Sequence, residues 1–100
     1  MRSLEKQVRG LILKFLEQLY PDGGTAAFLE GLLADWQVFI CRREVLEHLK
    51  FLIDRGYVEA KGIKLPAPVD KVEKFVITSK GKALLSGEMM DAGVSFEGLE

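Results

Sequence analysis

Cysteine and histidine are nearly absent from this sequence. Cys41 is its only cysteine and His48 its only histidine. A lone thiol cannot form an internal disulfide, and neither residue has a partner at the spacing of a zinc site. The sequence also has no Ser/His/Asp set and no glycine-rich phosphate loop before a helix. We therefore expect no metal site, no cofactor and no enzymatic activity.

Long hydrophobic runs are missing as well. None approaches the roughly 18 apolar residues that a membrane-spanning helix needs. Lys6, Arg9 and Lys14 interrupt the apolar residues near the start, a pattern unlike that of a secretory leader. We therefore expect a cytoplasmic protein that has no membrane partner.

The small net charge of −1 conceals an uneven distribution. Residues 88–100 contain four acids and no base, which leaves 11 acids against 14 bases in residues 1–87. Residues 41–82 alone contain ten bases and six acids. A basic body with an acidic tail is typical of a module that faces nucleic acid, but an ordinary solvated surface explains a bias of this size equally well.

Apolar residues spaced by three and four predict three helices. The first covers residues 4–19 and ends at a turn rich in Pro and Gly. Thr25 is expected to cap the second helix. Trp36 at the end of this helix and Phe39 just beyond it are both expected to lie in the core. The third covers residues 42–55, and Gly56 suits a left-handed C-cap. The buried faces predicted for the second and third helices consist of Phe28, Leu29, Leu32, Leu33 and Trp36, and of Val45, Leu46, Leu49, Leu52 and Ile53.

Two strands and a short helix are predicted to follow. Residues 57–60 and 75–78 are rich in β-formers, and the loop between them contains Pro66 and Pro68, which would stiffen its tip. Residues 79–85 form the short helix. We place one domain at residues 1–87 and an acidic tail at residues 88–100. The tail is either flexible or docked, on the same domain, on a second copy or on another protein.

Two segments resemble winged-helix proteins. Residues 45–58, VLEHLKFLIDRGYV, are similar to the third helix and first wing strand of that superfamily, and residues 77–85, ITSKGKALL, to its T-x-x-G segment. The resemblance covers most of residues 1–87. It implies an α+β winged helix with a three-helix core, a two-stranded β-hairpin wing and a short C-terminal helix.

A second resemblance is to small winged-helix proteins of Mu-like prophages. It depends on the T-x-x-G segment, the Ser86-Gly87 pair and the later Ala92-Gly93-Val94. In those proteins the tail after Gly-Val is usually basic and contains Pro, whereas here it is the acidic SFEGLE.

The winged-helix resemblance implies that the third helix enters the major groove of DNA and that the wing follows the backbone. The candidate nucleic-acid-binding residues are Arg42, Arg43 and Lys50 on the helix, and Lys61, Lys64, Lys71 and Lys74 on the wing. Two alternatives stay open. The helix residues also suit a solvated face with pairs such as Arg43 with Glu47, and lysines at a hairpin edge can simply prevent aggregation.

Two functions follow as hypotheses. The first is a winged-helix DNA-binding protein, a transcriptional regulator that binds duplex DNA, with dimerisation through the first helix and the tail. The second is a protein–protein interaction module of a prophage-type assembly, without strong DNA binding.

Overall fold

The structure is a computed structural model. It describes residues 4–64 and 71–97, with the backbone alone at Lys64 and Lys71. The element order is α1 (Leu4–Leu19), α2 (Ala26–Asp35), α3 (Arg42–Asp54), β1 (Val58–Lys64), β2 (Lys71–Ile77) and α4 (Ser79–Leu85). This order confirms the predicted α+β fold class and is compatible with a winged-helix layout.

Helix α1 is the centre of the core. It packs against α2, α3, α4 and β2, and it therefore buries residues over most of its circumference. Its glycine at position 10 lets the chain after α4 approach closely, because a Cβ there would lie 2.1 Å from the Ser95 carbonyl oxygen. The largest fully buried side chains come from four elements: Ile12, Leu13, Leu16, Leu29, Leu33, Val45, Leu49, Leu52 and Ile77.

Helix α3 packs through a narrower stripe than the sequence predicts. Val45, His48, Leu49 and Leu52 are its buried residues, at the three- and four-residue spacing of one helix face. Leu46, predicted to be buried, is 42% exposed because it lies one position off that face. The buried polar residue on this face is His48.

Two aromatic residues predicted for the core are on the surface. Trp36 is 53% exposed and Phe39 is 74% exposed. The physical reason is the end of α2. Gln37 adopts a left-handed conformation with φ of 65°, and the amide of Val38 donates to the carbonyl of Leu33. This Schellman turn reverses the chain, and Trp36 contacts the ring of Phe15 in a T-shaped arrangement while about half of it stays exposed. Phe28, also predicted to be buried, is 49% exposed.

Gln37 occupies a position that favours glycine, and its replacement should stabilise the protein. A side chain in the left-handed region costs about 1 kcal/mol relative to Gly. We expect Gln37→Gly to raise the free energy of unfolding by about 0.5 to 1 kcal/mol, somewhat offset by the greater freedom of Gly in the unfolded chain. Urea denaturation measures the change. A destabilised Gln37→Gly would show that the Gln37 side chain stabilises the turn.

The wing is a hairpin longer than predicted. Its strands pair antiparallel from Val58 with Ile77 to Lys64 with Lys71, so residues 61–64 and 71–74 belong to the strands and not to a loop. Gly24 forms two backbone hydrogen bonds with Phe75, which fixes the base of β2 to the turn after α1. The predicted stiffening by Pro66 and Pro68 falls outside the described residues.

Capping residues define the remaining boundaries. The Thr25 side chain accepts a hydrogen bond from the amide of Phe28, as predicted for the start of α2. Gly56 has φ of 85° just after α3, as predicted for its end. Over the residues that the structure describes, none of the helices has the length and apolar character needed to cross a membrane.

Candidate nucleic-acid interface

The start of α3 is fixed by a reciprocal cap. Cys41 is the N-cap residue, and its backbone amide donates to the Glu44 carboxylate at 3.2 Å. Glu44 therefore stabilises the first turn, where a negative charge interacts well with the helix dipole. The two arginines that follow Cys41 extend from this turn and are exposed.

The two arginines differ in their partners. Arg42 forms an ion pair with Glu30 of α2 at 2.6 Å, with its side chain 55% exposed. Arg43 forms no ion pair with any described residue, and the predicted pair between Arg43 and Glu47 is absent among them. Arg43 is therefore the arginine whose guanidinium is available to a ligand at the start of α3.

Lys50 lies two turns further along α3. It pairs with Asp54 at 3.4 Å, and both side chains are mostly in water, so the pair contributes little to stability and exchanges easily. The exposed surface of α3 has three bases and three acids: Arg42, Arg43 and Lys50, and Glu44, Glu47 and Asp54. The helix surface is therefore electrically balanced and by itself does not attract a polyanion.

The wing, in contrast, places like charges opposite one another. Lys61 pairs with Lys74 across the hairpin, and Lys64 pairs with Lys71. No described acid lies within ion-pair distance of Lys61 or Lys74. Like charges directly opposite in a sheet are destabilising, so an anion bound between Lys61 and Lys74 would relieve their repulsion.

A groove is lined by residues of both the helix and the wing. Arg42 and Leu46 come from α3, Val72, Glu73 and Phe75 from β2, and residues 25–27 from the start of α2. The groove brings the start of α3 next to the wing. Lys61 and Lys74 do not line it, so the predicted site residues form two groups, one on α3 and one on the hairpin.

A third group, which the sequence did not reveal, joins α3 to the chain after α4. Asp91 accepts two bonds from Nη1 of Arg55, at 2.8 and 2.7 Å, and one from the Tyr57 hydroxyl at 2.5 Å. Its own side chain is only 6% exposed. Asp91 also accepts from the amide of Gly93 at 2.7 Å, in the manner of an Asx turn.

These contacts shift two pKa values in opposite directions. Burial alone would raise the pKa of Asp91, but the hydrogen bonds from Tyr57, Gly93 and Arg55 hold it below its usual value. Burial, together with the hydrogen bond to Asp91 and its negative charge, raises the pKa of Tyr57 to about 12. The Asp91 carboxylate is therefore ionised and the Tyr57 hydroxyl protonated at neutral pH.

Arg9 of α1 adds a second guanidinium to the group formed by Asp91, Arg55 and Tyr57. Arg9 and Arg55 both lie over the ring of Phe51, at 3.8 and 4.4 Å from its centroid. Arg9 also donates to the carbonyl of Gly93 at 3.1 Å. We call Arg9, Phe51, Arg55, Tyr57 and Asp91 the tail clasp.

The described part of the tail therefore docks on its own domain. Val94 is buried in the core, and the amide of Ser95 donates to the carbonyl of Lys6. The contacts that the structure describes for this part of the tail are made with the same chain. The order Asp-Ala-Gly-Val could have predicted the turn at Asp91, because Asp followed by Gly at this spacing is typical of a turn.

No protein-family model, curated protein or solved structure matches this chain.

Proposed function

We propose that the protein is a winged-helix DNA-binding module, acting in transcriptional regulation in the cytoplasm. The observation that carries the proposal is the register of the wing, which sets Lys61 opposite Lys74 and Lys64 opposite Lys71. Phosphate oxygens between such pairs would convert repulsion into attraction.

The wing supplies most of the binding energy in this proposal. The α3 surface is electrically balanced, and two of its three bases have acidic partners in Glu30 and Asp54. Arg43 is the α3 side chain best placed to contact a base or a phosphate. A complex of this kind depends on backbone contacts more than on base edges, so affinity should be strongly salt-dependent and sequence preference modest.

Removing the wing charges tests the proposal. We expect Lys61→Gln with Lys74→Gln to weaken binding to a fluorescently labelled duplex roughly tenfold at low salt. The slope of log affinity against log salt should shrink by about 1.8, or about 0.9 for each phosphate contact. Fluorescence anisotropy over a salt series measures both quantities.

A matched control distinguishes local contacts from general charge. Lys6→Gln removes one exposed charge from α1 and should leave the slope unchanged, whereas Lys61→Gln alone should lower it by about 0.9. The double variant should also be as stable as the wild type or slightly more stable, because a like-charge pair is removed. Equal effects of Lys6→Gln and Lys61→Gln would contradict the proposal, and so would wild-type protein that binds no duplex at low salt.

Exposed apolar side chains favour a second candidate, a protein–protein interaction module of a prophage-type assembly. Leu4, Trp36 and Phe39 are 58%, 53% and 74% exposed. Leu4 and Trp36 line one groove on α1, so contact with a partner, or a homodimer through α1, is the hypothesis that this surface supports. Light scattering at micromolar concentration tests it, and a monomeric mass contradicts the homodimer.

A further inference from the structure

The tail is fastened to the domain at two points of different chemistry. The outer point is the Asp91 carboxylate with Arg55 and Tyr57. The inner point is Arg9, whose Nη1 holds the carbonyl of Gly93. The inner point secures residues 93–97, since Val94 is buried beyond it and Ser95 bonds to Lys6 of the same helix.

Arg9 depends in turn on a histidine that is neutral. Its Nε donates to Nδ1 of His48 at 3.2 Å, and a ring nitrogen can accept a hydrogen bond only when it carries no proton. His48 is 9% exposed within α3. A proton on Nδ1 would remove the acceptor, and a charge anywhere on the ring would repel the guanidinium beside it.

The charges around His48 come from two elements. Helix α1 contributes Arg9 and Glu5, and α3 contributes Glu44 and Glu47. Burial, followed by the positive charge of Arg9, lowers the pKa of His48 below 6.5 despite the three glutamates. The folded chain with its tail docked therefore favours neutral His48.

We propose that the Arg9–His48 pair is an acid-sensitive latch, whose protonation frees residues 93–97 while Asp91 stays bound. The outer point resists acid because its carboxylate stays ionised well below neutral pH. Opening of the inner point uncovers the α1 surface at Gly10, where the ring of Phe96 packs. The latch does not depend on DNA binding, so a result that contradicts one of the two proposals leaves the other unaffected.

The sign of the pH dependence follows from linkage. The docked state holds the pKa of His48 below 6.5 through burial and the charge of Arg9. Release of the tail frees Arg9 from Gly93 and opens this region to water, so in the proposal the pKa of His48 returns toward 6.5. The released state binds the proton more tightly, so docking is fully stable above pH 6.5 and weakens as the pH falls below it. The weakening ends once the pH has passed below the pKa of the docked state.

Hydrogen exchange of the full chain, followed by NMR, tests the latch. The Ser95 amide reports docking because it donates to the Lys6 carbonyl at 3.0 Å. Its protection factor should fall on the order of tenfold between about pH 7.5 and about pH 5. The amides of Leu29 and Leu33 in the core should keep theirs, which separates tail release from unfolding.

A variant identifies the titrating group. His48→Gln retains an oxygen acceptor for Arg9 but takes up no proton, so its Ser95 protection should stay constant over the same range. On the wild type, the ring-proton shift of His48 should titrate below pH 6.5, and the Ser95 protection should begin to fall near pH 6.5 and level off once the His48 titration is complete. This comparison needs no variant to fold. Wild-type protection that does not change with pH, protection that keeps falling after the His48 titration is complete, or an equal fall in His48→Gln would each overturn the latch.

Discussion

Asp91→Asn should lower the free energy of unfolding by about 2 to 3 kcal/mol, although the residue lies outside every helix and strand. Removing a buried carboxylate from charge-assisted hydrogen bonds costs about 1.5–3 kcal/mol, and breaking a fully buried ion pair costs more. Here Asp91 is 6% exposed but Arg55 is 48% exposed, so water can solvate the released guanidinium. That places the expected cost between the two cases.

Urea denaturation at neutral pH, followed by circular dichroism, measures the loss. Glu97→Gln is the matched control, because it removes another acid of the same tail that is exposed, and it should change stability by less than about 0.5 kcal/mol. An Asp91→Asn variant as stable as Glu97→Gln would show that the clasp contributes nothing to the fold.

Local signals made most of the fold predictable. The element order follows from helical spacing, and single residues fix several boundaries, such as Thr25 at the start of α2 and Gly56 after α3. These signals act within four residues along the chain, which is the range over which caps and turns are determined.

Most features that the sequence did not predict depend on distant partners, whereas the exposure of Trp36 depends on an uncommon backbone conformation at the next residue. Asp91 meets Arg55 across 36 residues, and no local pattern reveals such a pair. Trp36 fits the helical spacing, but the left-handed Gln37 ends α2 before it. The opposition of Lys61 and Lys74 depends on strand register, which required strands longer than the β-formers alone indicated.

The candidate site was only partly predictable for the same reason. Arg42, Arg43 and Lys50 do lie on the exposed part of α3, as helical spacing implies. Arg42 and Lys50 pair with Glu30 and Asp54, and the acids on the α3 surface balance its bases. The DNA-binding proposal therefore depends mainly on the wing. Arg9 was no candidate, since one arginine on an amphipathic helix gives no sign that it meets His48 and Gly93.

The T-x-x-G segment gives the second large effect. The Thr78 hydroxyl donates to the Gly56 carbonyl at 2.6 Å and accepts from the Gly81 amide at 3.1 Å. This holds α4 so close to β1 that a Cβ on Gly81 would lie 2.4 Å from the Tyr57 carbonyl oxygen and 2.7 Å from Cγ1 of Ile77. The Tyr57 carbonyl also accepts a hydrogen bond from the amide of Thr78. Moving this carbonyl away from an added Cβ would therefore weaken that bond.

We therefore expect Gly81→Ala to lower the free energy of unfolding by about 2 kcal/mol, an overpacking cost of up to about 3 less a helix-propensity gain of about 1. Gly31→Ala is the matched control, since Gly31 is also helical but has nothing within 4 Å of the added Cβ. It should stabilise the protein by up to about 1 kcal/mol. The two identical substitutions thus change stability in opposite directions in urea denaturation. A stabilised Gly81→Ala would mean that α4 can move away from Tyr57, and that the T-x-x-G glycine is not required by packing.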